Sequence, residues 1–337
     1  MLLLPDHSLA TLNTLAVPAQ ARAYVPATRT EQVVAALTLA QEKRWPLLPL
    51  GGGSNIVLTG DFAGMVLHLQ SKGIEKVDED SRHVYVRVAA GENWHQLVEY
   101  SLQQHWWGLE NLALIPGNVG AAPIQNIGAY GVELEEVFEE LQALEVNSGL
   151  AVTFSREACE FRYRDSVFKG RLRDRYIITH VILRLNKQPE LRLEYPALQA
   201  ACAHLSQREL TPQKVSELVA DIRRTKLPDP VQIPNAGSFF KNPVVSVQQF
   251  NELQQAFPGL VAYPQPQGVK LAAGWLIEQA GWRGFTEQGV AVHDRQALVL
   301  TNPGRSSGKV ILALAERIVQ SVVDLFGVVL ETEPRIY

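Results

Sequence analysis

Residues 111–132 restrict the possible folds more than any other stretch of this 337-residue chain. The run of 22 residues carries no charge, yet it holds four Gly, two Pro, three Asn and Gln125. It is long enough to cross a bilayer, but that density of helix breakers and amides excludes a membrane helix. Two readings remain. One is a buried glycine-rich crossing; the other is a backbone packed directly against a large flat ligand, with its amides free to hydrogen-bond it.

Composition narrows the function classes around that run. At roughly 100–200 residues per domain the chain holds two or three domains. With 46% hydrophobic and 20% charged residues it can bury a sizeable core. Lys+Arg 31 against Asp+Glu 35 gives a net charge of −4, which argues against a nucleic-acid binder. Cys159 and Cys202 cannot make a disulfide framework or a CxxC site, and the eight histidines form no HxxxH cluster, so no metal site is expected. The first residues, MLLLPDHSLATLN, lack a basic n-region, so no signal peptide is expected. The expectation is a cytoplasmic, multidomain, metal-independent protein with no membrane insertion.

Read for elements, the chain is α+β in at least two lobes, without the strict strand–helix alternation of a doubly wound sheet. Thr28 and Glu31 have capping-box spacing before a helix ending near Arg44. Strands are predicted at 46–50, 56–58, 64–69, 83–89 and 176–185, with a hairpin joining 144–146 to 151–153. A helix over 93–104 should bury Trp94, Leu97, Val98, Ser101 and Leu102. Thr211 as N-cap and Pro212 at the first helical position open another helix. The segment LPDP at 227–230 ends that helix and marks a domain boundary. Further helices are predicted at 247–256, 271–280 and 309–326, strands near Val290 and Leu298, and an apolar run Val328, Val329, Leu330 before a polar tail.

Four segments could carry chemistry. Gly51, Gly52, Gly53, Ser54 and Asn55 lie between two apolar strands, either as a tight connection or as a cradle whose N–H groups approach an anion. Neither a Walker A segment nor a GxGxxG that opens a helix is present. The second segment is 115–131, within the uncharged run. CEFRYRDSVFK, at 159–169, offers arginines that could bind a carboxylate bidentately or form an ordinary solvated face. NAGSFFKNP, at 235–243, sets Ser238 in an apolar turn, as a turn cap or as a poised proton donor. Glu333, beside Arg335 near the last residue, would ordinarily be taken for surface charge.

In order, the segments GGGSN, IPGNVGAAPIQNIGAYG, CEFRYRDSVFK, RRTKLPDP, NAGSFFKNP and ETEPR resemble the UDP-N-acetylenolpyruvoylglucosamine reductases, the MurB family, over nearly the whole chain. That resemblance implies a two-subdomain FAD-binding region of the PCMH (vanillyl-alcohol-oxidase) type plus an α+β substrate-binding domain. It places FAD-binding subdomain 1 at 1–70 with 327–337 returning to it, subdomain 2 at 71–222 and the substrate domain at 223–326. It implies a monomer that reduces UDP-N-acetylglucosamine enolpyruvate with NADPH through non-covalent FAD, in peptidoglycan precursor synthesis. Hydride would pass from flavin N5 to C3 of the enolpyruvyl group, and a proton from Ser238 to C2. Arg164 and Glu333 complete the implied catalytic set. Gly51, Gly52, Gly53, Ser54, Asn55, Gly117, Val119, Gly120, Ala121 and Gln125 would hold FAD. Tyr195, Arg223, Lys226, Asn242 and Tyr263 would hold the UDP moiety. Two positions depart from the family pattern: Asn118, where a small Thr or Cys is commoner, and Pro196, which would stiffen the loop after Tyr195. Two rival readings are a flavin oxidase and a non-catalytic nucleotide-sugar sensor. The absence of His or Cys beside Gly51, for covalent flavin, weighs against the first; retention of Arg164, Ser238 and Glu333 weighs against the second.

Overall fold

The computed structural model describes residues 1–266 and 268–337. These fall into two compact units. One comprises Met1–His7, Ala21–Gly52 and Ala63–Thr225; the other comprises Ser8–Gln20, Gly53–Phe62 and Lys226–Tyr337.

The first unit is built on two sheets. In one, the strand order is Leu4–Ser8, Gln20–Ala27, Phe62–Leu69, Leu47–Leu50, the last two running parallel. Helix Thr30–Lys43 buries Val33, Ala36, Leu37 and Ala40 in a core shared with Val25, Met65 and Leu67. Its start differs by one residue from the spacing of Thr28 and Glu31. The Gln32 side-chain oxygen accepts the N–H groups of Thr28 and Arg29, because Gln reaches back a full turn where Glu31 faces solvent. The second sheet is antiparallel, in the order Ala151–Ser155, Phe138–Glu145, Tyr176–Asn186, His83–Ala89, Ile74–Glu79. Helix Trp94–Gln103 covers it and buries the five predicted residues, with the Asn93 side chain accepting from the Gln96 amide. Helix Pro212–Lys226 adds Val215 and Val219 to the same core and is capped by Thr211, whose hydroxyl accepts the Lys214 N–H at 3.2 Å.

The longest segment of the second unit starts at Lys226. One antiparallel sheet orders Asn235–Ser238, Val299–Thr301, Val290–Val292 and Thr286–Glu287. Another orders Val244–Val245, Gly268–Leu271 and Ala262–Gln265. Helix Gly308–Phe326 buries Ile311, Leu314, Ile318 and Val322 as an apolar stripe. The closing strand is Arg335–Ile336, paired in parallel with Ile56–Val57, and not the more apolar run 328–330. Here pairing decides, since a sheet strand needs hydrogen-bonding partners more than it needs hydrophobicity.

Candidate active site

Two glycine-rich segments looked alike in sequence and are built differently. In the first, a Cβ on Gly52 would lie 2.8 Å from Asn118 Oδ1 and 3.0 Å from Gly117 Cα. Gly53 has φ +60°, and a Cβ there would overlap the Leu12 carbonyl. Gly53 therefore requires glycine, and Gly52 leaves little room for a Cβ. The N–H groups of Gly52 and Gly53 find no acceptor among the described residues, so the turn presents backbone donors.

In the second segment three of the amides already have partners. Val119–Gln125 is a 3-10 helix in which the N–H groups of Val119, Gly120 and Ala121 donate to Glu92, Ala90 and Asn118. These bonds tie the segment to the turn after His83–Ala89, and Gly120 is glycine because a Cβ would come within 2.5 Å of the Ala90 Cβ. Small residues here serve close packing of backbone on backbone.

Arg164 sits in the first unit, partly buried, in a turn with its own φ at +54°. Its guanidinium donates to the Gly128 carbonyl. The turn is anchored by the Ser166 hydroxyl, which donates to Ile124 O at 2.7 Å, and by Asn126. Asn126 is fully buried in the left-handed region; its amide donates to Glu133 Oε2 at 2.8 Å and to Arg162 O at 3.2 Å, and its oxygen accepts the Glu135 N–H. Asn is the side chain that tolerates this conformation and can serve several backbone groups at once. Arg223 belongs to the same region. Burial lowers the pKa of its guanidinium, Arg164 adds repulsion, and Tyr130 opposes both. Its Nε is buried without a partner among the described residues, and two neighbouring cations partly out of water make a setting for an anion. Burial raises the Tyr130 phenol above its ordinary pKa. The Tyr130 ring meets Tyr195 edge-on at 5.1 Å. Tyr195 is 42% exposed and precedes helix Pro196–Cys202, so Pro196 occupies a first-turn position where its missing N–H costs nothing.

In the second unit, backbone ladders do the positioning. Asn235 donates its N–H to Thr14 O, Thr14 donates to Gly53 O, and Gly237 donates to Asn235 Oδ1. Ser238 lies opposite Val299, at the end of its strand. The Glu333 N–H donates to Phe239 O at 2.8 Å, which ties the segment around Glu333 to the residue after Ser238. Arg335 donates to Asn55 O, and the Asn55 amide reaches Glu333 O at 3.4 Å. Ser238, Glu333 and Asn55 are thus brought together on adjoining backbone. Lys226 is exposed, and Asn242 uses its oxygen to accept the Ala273 N–H, leaving its NH2 as a donor. Tyr263 is 44% exposed on a strand that Gly268–Leu271 separates from Val244–Val245. Sequence reasoning gave no role to Asn126, Tyr130 or Asn235. The available signal was a lone Asn among small apolar residues in QNIG and PNAG, where a buried amide must be serving backbone.

Family models match two stretches: an FAD binding domain over 21–155 and the C-terminal domain of UDP-N-acetylenolpyruvoylglucosamine reductase over 229–337. A UDP-N-acetylenolpyruvoylglucosamine reductase of Shewanella oneidensis is 51% identical over 332 residues, 98% of this chain and 96% of the relative. The chain belongs to the UDP-N-acetylenolpyruvoylglucosamine reductase family. The relative of that name from Pseudomonas aeruginosa is 48% identical, covering 99% of both chains. The crystal structure of the reductase from Thermus caldophilus aligns over 100% of this chain and 98% of its own with a TM-score of 0.66; at 21% identity it speaks for the fold. The fold class is therefore the expected one, an FAD-binding region followed by the reductase C-terminal domain. The FAD-binding match spans both glycine-rich segments. The residues present fit the cofactor: unpaired N–H groups at Gly52 and Gly53 suit a pyrophosphate, for which backbone donors in a glycine turn are the common solution. Among the described residues no cluster of His, Cys, Asp or Glu could hold a metal, and no helix is long and apolar enough to cross a membrane.

Proposed function

We propose that this protein reduces UDP-N-acetylglucosamine enolpyruvate to UDP-N-acetylmuramate, with NADPH as electron donor and non-covalent FAD as carrier, in peptidoglycan precursor synthesis. FAD, when bound, supplies two-electron chemistry between NADPH and C3 of the enolpyruvyl group. Gly51, Gly52, Gly53, Ser54, Asn55, Gly117, Val119, Gly120, Ala121 and Gln125 hold it, the first segment by N–H donors and the second by close packing. Arg164 binds the substrate carboxylate and stabilises the negative charge that develops next to C2. Arg223, with an unpaired Nε in the same region, adds a second cation for the anionic substrate. Ser238 donates the proton that C2 takes, and Glu333, on adjoining backbone, steadies the groups around it. Tyr195, Lys226, Asn242 and Tyr263 hold the UDP end, Lys as a point charge and Asn through its remaining amide donors.

The observation that supports this reading is the Glu333 N–H bond to Phe239 O, a main-chain tie between the ETEPR segment and the residue after Ser238. A monomeric state and a cytoplasmic location belong to the same reading, the latter because its nucleotide substrates are found there. The division into 1–70 with 327–337, 71–222 and 223–326 belongs to the same proposal.

The test is anaerobic and follows flavin absorbance through each half-reaction. Ser238→Ala should be reduced by NADPH at the normal rate but reoxidised by the enolpyruvyl substrate about 100-fold more slowly. Equal slowing of both halves would remove Ser238 as proton donor. A purified protein that takes up no FAD would end the whole reading.

A further inference from the structure

Asn118 occupies a place that none of the roles above uses. It precedes the 3-10 helix Val119–Gln125, yet its side chain makes no cap there. Instead its Nδ2 donates to the Gly91 carbonyl at 2.8 Å. That carbonyl also accepts Lys72 Nζ at 2.9 Å, so the turn after His83–Ala89 is held from two sides. On the opposite side, the Asn118 Cβ is 3.3 Å from where a Gly51 Cβ would stand, and its Oδ1 is 2.8 Å from the corresponding point on Gly52. One carboxamide thus fills the space the glycines leave open and joins three backbone segments: 51–52, 91 and 117–120. The backbone of 117–120 is bonded to the same turn independently, by Val119 to Glu92 and Gly120 to Ala90. For residues 51–52 no such main-chain bond is seen among the described residues; their spacing from 117–120 is set by packing, of Gly52 on the Gly117 backbone and of both glycines on the Asn118 side chain.

We infer that Asn118 is a positioning residue for the cofactor: its carboxamide braces the glycine turn at 51–52 against 117–120 and so sets how tightly FAD is held. The physical reason is preorganisation. A turn of consecutive glycines has more conformations to lose on binding than any other, and a fixed neighbour removes that cost beforehand. Oδ1 also crowds any side chain added at Gly52.

This inference rests on the FAD reading, and the experiment separates the two. Apoprotein is titrated with FAD and flavin fluorescence is followed, with circular dichroism confirming that each apoprotein is folded. N118A should raise the Kd for FAD about tenfold, which corresponds to about 1.4 kcal/mol. Gly52→Ala should weaken binding in the wild-type background and weaken it less in the N118A background, since Oδ1 no longer meets the added methyl. Wild-type affinity in N118A, or additive losses in the double variant, would overturn the brace while leaving the FAD reading intact. A wild-type protein without FAD affinity overturns that reading itself. Should the N118A apoprotein fail to fold, N118S carries the comparison; loss of fold in both would overturn the brace by showing a folding role instead.

Discussion

The two units hold their candidate catalytic residues by opposite means. Around Arg164, irregular loops with positive φ at Asn126, Tyr130 and Arg164 are pinned by buried side chains, chiefly Asn126 and the Ser166 hydroxyl. Around Ser238 and Glu333 most of the work is done by main-chain bonds between strands, with the buried Asn235 side chain serving Gly237 and Pro228. A loop pinned by side chains is vulnerable to single substitutions; a ladder is vulnerable only to loss of the strand.

That contrast can be broken or sharpened by mutation. Removing residues 334–337 deletes the bonds from Arg335 to Asn55, Tyr337 to Val57 and Thr59 to Tyr337. At about 1 kcal/mol each, roughly 3 kcal/mol of stability should go, read by urea denaturation, and FAD affinity should fall with it. Asn126→Ala leaves the Glu135 N–H without an acceptor and should cost about 2 kcal/mol in the same assay. A loss below about 0.5 kcal/mol there would mean that the loops near Arg164 are not held as described.

Glu110→Gln tests another buried polar group of the first unit. Burial raises the Glu110 carboxyl pKa, and its Oε1 has no partner. With a raised folded-state pKa, the unfolded chain releases this proton first as pH rises. Wild-type stability therefore falls above the ordinary carboxylate pKa of about 4.3, and continues to fall until the folded-state pKa is passed. The variant should match wild type near pH 4 and below, and show the higher Tm at pH 7; an equal Tm at pH 7 would contradict a buried charge. Thr332→Ala makes the smallest change. Among the described residues Thr332 enters only a backbone bridge to Phe240, so stability should move by no more than about 0.5 kcal/mol.

Much of the fold was legible because its helices carry strong apolar stripes: 94–103, 247–256 and 308–326 fall within a few residues of prediction. The missed strands lacked such a signal. Gln20–Ala27 alternates correctly, but three of its inward positions are alanines, too small to register as hydrophobic. Ile74–Glu79 is an edge strand with five exposed residues, so its pairing with His83–Ala89 is all that defines it. The same holds at the candidate site. Contiguous motifs revealed the segments around Gly51, Arg164 and Ser238, whereas the place of Glu333 depends on contacts hundreds of residues away that no local pattern records.

The parallel pair formed by Ile56–Val57 and Arg335–Ile336 also has a consequence for biosynthesis. The Thr59 hydroxyl waits 278 positions for its partner at Tyr337. At about 5–20 residues per second, a ribosome leaves that strand unpaired for on the order of 15–55 s. Until residues 335–336 have been made, that edge stays open to wrong neighbours.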